Sequence, residues 1–132
     1  MLVAVYGSLR KGLSNYKGYL TKSVYLGKFD SEPVFTLKSL THYPALIRGG
    51  KTSVVMEVFR VTENTLNQLN ILEGFYEEKD KFNHYNREII KTPYGDAFVY
   101  LYNCEERIKD ATVVKSGDWV EFLANAKLYN NA

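Results

Sequence analysis

Two short stretches of this chain hold residue types that could do chemistry together. The first, Tyr6-Gly7-Ser8-Leu9-Arg10-Lys11-Gly12, follows the apolar run of residues 1–5. A β-rich run that breaks into Gly-Ser and a second Gly reads as a buried strand opening into a tight loop. Gly7 has no Cβ, so backbone N–H groups there can approach a ligand closely. Such a concavity of N–H groups favours an anion or a developing oxyanion, although a plain turn has the same composition. The second stretch is Glu73-Gly74, placed between Ile71-Leu72 and Phe75-Tyr76. A carboxylate in apolar and aromatic company loses solvation, and the partial negative charge of a helix C-terminus pushes its pKa the same way. A glutamate tuned upward moves protons at neutral pH. A glutamate at the same helix end that points to water does not. Taken alone, each stretch leaves both readings open.

The elements that must position these residues can be read from patterning. Segments 2–6, 23–29, 34–37, 45–48, 53–61, 85–92 and 96–102 are β-like, and Thr92-Pro93-Tyr94-Gly95-Asp96 reads as a hairpin turn between the last two. That close antiparallel pairing argues against a parallel βαβ fold. The partial alternation of Val54, Met56, Val58 and Val61 suits a strand with protein on both faces. One helix follows Thr62 as N-cap, places Leu66, Leu69 and Leu72 on one side and stops at Gly74. A second follows Ser116 and carries Trp119, Phe122, Leu123 and Ala126 at i, i+3, i+4, i+7 spacing. A short third helix fits residues 15–21. Many short strands with few helices predict an α+β fold, a small mixed β-barrel or strongly curved sheet with a few flanking helices.

Bulk properties narrow the classes of function. At 132 residues without repeats, linkers or low-complexity tracts, the chain reads as a single domain over residues 1–132. Seventeen basic residues against 15 acidic ones give a net charge of +2, which points to neither nucleic acid nor an anionic membrane. A single cysteine, Cys104, forms no internal disulfide and fits a reducing compartment. The apolar start ends after five residues, short of a signal h-region or membrane span, so a cytoplasmic protein is expected. Eleven tyrosines suit half-buried strands or a polar cavity lining.

The two stretches, with their surroundings, resemble the gamma-glutamylcyclotransferase-like superfamily, nearest its gamma-glutamylamine cyclotransferase-like (avirulence-induced-gene) branch. The resemblance rests on Val5-Tyr6-Gly7-Ser8-Leu9-Arg10-Lys11-Gly12 with Asn15, on Tyr43-Pro44-Ala45-Leu46, and on Glu57-Val58-Phe59. It continues through Leu69-Asn70-Ile71-Leu72-Glu73-Gly74, Tyr85-Asn86-Arg87, Asp96-Ala97-Phe98-Val99-Tyr100 and Ser116-Gly117-Asp118-Trp119. It implies the superfamily's fold and an intramolecular aminolysis: the free α-amine of a γ-glutamyl compound attacks its own side-chain amide, 5-oxoproline forms and the attached amine leaves. The nucleophile belongs to the substrate, so no Ser, Cys or Lys nucleophile and no cofactor are needed. Glu73 takes the general acid/base role. The backbone around Tyr6, Gly7, Ser8 and Leu9 would bind the α-carboxylate or the carbonyl oxygen, with Arg10 adding charge and Tyr85 a phenol. At one position the chain departs from the pattern: Asn70 stands where the family commonly carries Asp, which reads as the loss of a helix-surface charge.

The remaining candidates read as structural or silent. His42 and His84 have no metal-like spacing to carboxylates or to Cys104, so no metal site is expected. Cys104 reads as a strand-end or loop thiol, Arg87 as a structural ion pair, and Ser116-Gly117-Asp118-Trp119 as a helix start whose Trp seals the core. The mixed charges of Glu77, Glu78, Lys79, Asp80 and Lys81 read as a solvated loop beside Glu73. Tyr43, Phe75, Tyr76 and the 77–83 loop are the expected pocket lining. The expected partner is a small γ-glutamyl molecule, with no nucleic acid or membrane, acting on a monomer or homodimer. A non-catalytic module holding a small molecule or peptide end in the same cavity is the competing reading.

Overall fold

The computed structural model describes residues 1–78 and 81–131, the last five through their backbone. Its central layer is a five-stranded sheet in the order β2-β5-β1-β7-β6. The strands are β1 (Leu2–Val5), β2 (Val24–Asp30), β5 (Val55–Arg60), β6 (Tyr85–Thr92) and β7 (Gly95–Tyr102). A second, three-stranded sheet, β4-β3-β8, is built from β3 (Phe35–Ser39), β4 (Pro44–Arg48) and β8 (Thr112–Val113). The result is a curved α+β architecture of two sheets, not a closed barrel.

Register explains the curvature and the burial of β1. The tight hairpin β6–β7 pairs Thr92 with Gly95 across Pro93 and Tyr94. On β2 the pairing with β5 slips between Tyr25 and Gly27, and such a bulge bends and twists its strand. β1 runs antiparallel to β5 but parallel to β7, at Val3 and Phe98. The sheet is therefore mixed, with one parallel pair that the hairpin signals did not announce.

Apolar side chains leave both faces of β1 and β5 into separate cores, which is why neither strand alternates with polar residues. Ala4, Tyr6, Met56 and Val58 join Phe35, Leu37, Leu46 and Trp119 on one face. Val3, Val5 and Phe59 join Leu20, Leu66 and Leu69 on the other. The first core lies against the small sheet and helix α3 (Trp119–Asn131), the second against α1 (Tyr16–Tyr19) and α2 (Glu63–Leu72). Trp119 is stacked on Phe122 and fully buried, as a core seal should be.

The caps are where patterning placed them, with one shift. Thr62 Oγ1 accepts the Thr65 N–H and starts α2. For α3 the capping oxygen is Asp118 Oδ1, which accepts the N–H groups of Val120 and Glu121, while Ser116 Oγ accepts the N–H of Asp118.

Candidate active site

Glu73 owes its position to a locked helix end. It is the C-cap of α2, and Gly74 follows with φ +63°. The Phe75 N–H reaches the Asn70 carbonyl and the Gly74 N–H reaches that of Ile71, the two bonds of a Schellman motif. The next two carbonyls are bonded across the chain: Gly74 O accepts the His84 N–H at 2.9 Å and Glu73 O the Tyr85 N–H at 3.2 Å. Helix end and strand β6 therefore hold Glu73 between them. A Cβ on Gly74 would stand 2.9 Å from the His84 Cβ, and a left-handed residue other than Gly already costs about 1–2 kcal/mol. Gly74→Ala is thus expected to lower stability by at least that much, read as a drop in the denaturation midpoint, and to lower turnover by displacing Glu73. A variant with both unchanged would show that this junction does not hold the carboxylate.

The loop after β1 is fixed just as firmly. Its Gly7 carbonyl accepts the Arg10 N–H at 2.9 Å, closing a turn, and Asn15 bonds Ser8 twice, N–H to carbonyl at 2.9 Å and Nδ2 to Oγ at 2.8 Å. Gly7 is required here for a reason the sequence did not show. A Cβ at this position would meet the Pro44 ring at 2.7 Å, so the missing side chain lets β4 approach the loop.

Loop and helix end face one cavity of about 540 Å³, within the range of small-ligand sites. Tyr6, Gly7, Ser8, Leu9, Asn15, His42, Tyr43, Pro44, Glu73, His84, Tyr85 and Tyr100 all contribute to its wall. The N–H groups of Gly7, Ser8 and Leu9 donate to no acceptor among the described residues. Gly7 and Leu9 are buried, where backbone donors are normally paired. Across the cavity the Glu73 carboxylate accepts no hydrogen bond from the described residues. Desolvation by burial raises its pKa to about 7. Burial and then the Glu73 charge also raise the phenols of Tyr85 and Tyr100, and Glu73 adds to the rise at Tyr6. One wall thus offers hydrogen-bond donors and the other a proton acceptor, a polarity that suits a ligand with a carboxylate at one point and an amine at another.

The gamma-glutamyl cyclotransferase, AIG2-like family model matches residues 3–121. The chain belongs to this family. A Vibrio cholerae relative, provisionally named a gamma-glutamylcyclotransferase, is 42% identical over 120 residues, which are 91% of this chain and 96% of the relative. The Escherichia coli gamma-glutamylcyclotransferase family protein YtfP is 35% identical over 121 residues, 92% of this chain and 97% of its own. Among solved structures, an uncharacterized protein from Pyrococcus horikoshii matches with a TM-score of 0.77 at 27% identity, over 96% of each chain.

Within this family member, the sequence candidates separate by location. Tyr6, Gly7, Ser8, Leu9, Glu73 and Tyr85 meet at the cavity, whereas Arg10 does not. The Arg10 side chain is buried in the opposite direction, with Nε on Glu57 Oε2 at 2.6 Å and Nη1 on Asp118 Oδ1 at 2.7 Å. It braces the loop and offers the cavity no charge. Tyr85 supplies no phenolic proton either, because its hydroxyl donates to the Pro44 carbonyl at 2.8 Å.

The expected lining is corrected as well. Tyr43 lines the cavity, but Phe75 turns into the core and Tyr76 is exposed. Of the 77–83 loop, no described residue lines it; Lys79 and Asp80 lie outside the described residues. Asn70 is no surface position: its Oδ1 accepts from the Tyr100 hydroxyl at 2.6 Å and from Arg87 Nη1 at 3.2 Å. Arg87 makes no ion pair among the described residues and lies between the rings of Phe75 and Phe98. Tyr100 and His84 were missed as cavity residues. The sequence signal for Tyr100 is the aromatic character of β7, which does not distinguish lining from core, and His84, just ahead of β6, carries none.

Proposed function

We propose that this protein is a γ-glutamyl cyclotransferase that releases 5-oxoproline from a γ-glutamylamine or γ-glutamyl amino acid. The observation that carries the reading is the desolvated Glu73 carboxylate, without a hydrogen-bond partner among the described residues, sharing one cavity with the N–H groups of Gly7, Ser8 and Leu9, which are likewise unpaired among them. The substrate arrives as an ammonium. Ionised Glu73 takes a proton from it, the freed amine attacks the γ-carbonyl carbon, and a five-membered ring closes. As the bond to the leaving nitrogen breaks, protonated Glu73 returns a proton there. Over the whole reaction two protons leave the attacking nitrogen and two reach the departing one, so a single group with a pKa near neutrality can serve both.

The loop N–H groups hold the α-carboxylate or the carbonyl oxygen as negative charge builds on it. Holding amine and carbonyl within reach of each other supplies much of the acceleration. No protein nucleophile, metal or cofactor takes part in this scheme. The exposed edges of His42, Tyr43 and His84 at the cavity accommodate the departing amine.

The test is 5-oxoproline release across a panel of γ-glutamylamines and γ-glutamyl amino acids. Turnover of at least one member is expected. Tight binding of these compounds, with the ligand recovered intact after hours, would instead identify a binding module.

A further inference from the structure

Of the four phenols that line the cavity, the three that feel the Glu73 charge, Tyr6, Tyr85 and Tyr100, are not equivalent in what they have left to offer. Tyr6 donates its proton to the Tyr100 carbonyl, and the Leu46 backbone opposes the rise in its pKa. Its proton is spent inside the protein, and the residue is buried. The Tyr100 proton goes to Asn70 Oδ1, and the polarity of that amide is not free: Arg87, which can only donate, bonds the same oxygen. Arg87 also lies against the Tyr100 oxygen and opposes the rise in its pKa.

Tyr85 is the exception. Its proton is committed to the Pro44 carbonyl, which can only accept. No described residue donates a hydrogen bond to its oxygen. The ring is fixed by Tyr102 edge-on at 5.4 Å and by His84 at 5.1 Å. What a ligand meets at Tyr85 is an oxygen lone pair.

We infer that Tyr85 binds the free α-ammonium of the substrate through its phenol oxygen, so that Glu73 and Tyr85 together hold the nitrogen that attacks. The assignment rests on the cyclotransferase reading. It makes a chemical distinction that the residue type alone does not. A phenol with its proton spent cannot stabilise the carbonyl oxyanion, so that task stays with the Gly7–Leu9 wall. An ammonium carries three N–H groups. Glu73 removes one, and a second anchored on Tyr85 fixes the rotation of the amine, so the lone pair freed by deprotonation has a defined direction. Burial and the Glu73 charge both keep the phenol un-ionised, so no tyrosinate competes with Glu73 for the proton.

The experiment compares two ligands of one shape, γ-glutamyl-n-butylamide and glutaryl-n-butylamide, which lacks only the amine. Dissociation constants are measured by calorimetry in the Glu73→Gln background, which binds without turnover. The preference for the γ-glutamyl ligand is expected to fall about tenfold when Tyr85→Phe is added, the loss of one hydrogen bond to a charged group. Adding Tyr76→Phe instead, at an exposed ring outside the cavity wall, leaves the preference unchanged. A preference that stays within twofold in the Tyr85→Phe protein overturns the assignment.

Should Tyr85→Phe fail to fold, 3-fluorotyrosine at position 85 gives a signed answer, since fluorination weakens the phenol as acceptor and strengthens it as donor. The preference must then fall; a rise would show that Tyr85 donates and would refute the inference. Wild type that releases no 5-oxoproline from any panel member removes the cyclotransferase reading and this assignment with it. Normal turnover with an unmoved preference removes the assignment alone.

Discussion

Replacing Glu73 by Gln is expected to lower 5-oxoproline release by about 10²–10⁴-fold, the usual worth of a positioned general acid/base. Gln keeps the size of the side chain and an acceptor oxygen but cannot carry a proton. Ligand binding therefore persists, and the loss appears in kcat more than in KM. In the wild type the ionised form is the active base, and its pKa is raised to about 7. The rate kcat/KM should rise about tenfold per pH unit below that value and level above it. A Gln variant with the wild-type rate, or a wild-type profile flat between pH 5 and 8, would assign proton transfer to another group.

The same shift makes an opposite prediction for stability. A carboxyl whose folded pKa lies above its unfolded value stabilises the fold fully only below the unfolded pKa, and that contribution is lost as pH rises through the folded pKa. For Glu73 the window runs from the ordinary 4.5 to about 7. Above it the ionised side chain costs the fold about 3 kcal/mol. Glu73→Gln should therefore be more stable than wild type at pH 8 and equal to it near pH 4, measured by urea denaturation. A variant that is inactive yet stabilised only at high pH is the signature of a group held in an unfavourable state for its chemistry.

How far the sequence discloses this arrangement depends on the distance over which each residue finds its partners. Helix α2 and its end are legible because everything needed is local: Thr62, the leucines at helical spacing, and Gly74 four to twelve positions apart. The β6–β7 hairpin is legible for the same reason. Strand β8 is not, since Thr112–Val113 is a strand only by pairing with Lys38 and Ser39. Phe75 and Tyr76 were expected in the pocket because they follow Glu73 in sequence. The Schellman turn reverses direction there, sending Phe75 into the core and leaving Tyr76 outside. Asn70, compared with the family pattern, reads as helix surface, yet Tyr100 and Arg87 on neighbouring strands close over it. Arg10 shows the limit most clearly. Its position in the loop suggests an anion-binding cation, and only the tertiary fold reveals two carboxylates, 47 and 108 residues away, that claim it first.

Arg10→Met is expected to destabilise the protein by about 3–5 kcal/mol, because it strands a buried carboxylate. Arg10 and Glu57 are 4% and 5% exposed. Glu57 is held by Arg10 Nε at 2.6 Å through one oxygen and by the Lys11 N–H at 2.8 Å through the other. With the guanidinium gone, only that one backbone bond opposes the cost of a charge in the interior. Asp118 loses a partner too. Burial pushes its pKa up, but the Arg10 hydrogen bond and the N–H groups of Glu121 and Val120 outweigh this and hold it below the ordinary carboxylate range. Its contribution to stability is present above the unfolded pKa and is lost as pH falls through the folded one, so the variant should also lose part of the acid sensitivity of the wild type. The double variant Arg10→Met/Glu57→Met separates an unpaired charge from lost packing. Removing both partners is close to neutral where removing one is not, so most of the lost stability should return. A double variant no more stable than Arg10→Met would show that the guanidinium acts through its packing. In either protein the Gly7–Leu9 turn loses its brace against β5 and α3. Since that turn also receives the carbonyl oxygen as negative charge builds on it, the refolded double variant should show a lowered kcat as well as a raised KM.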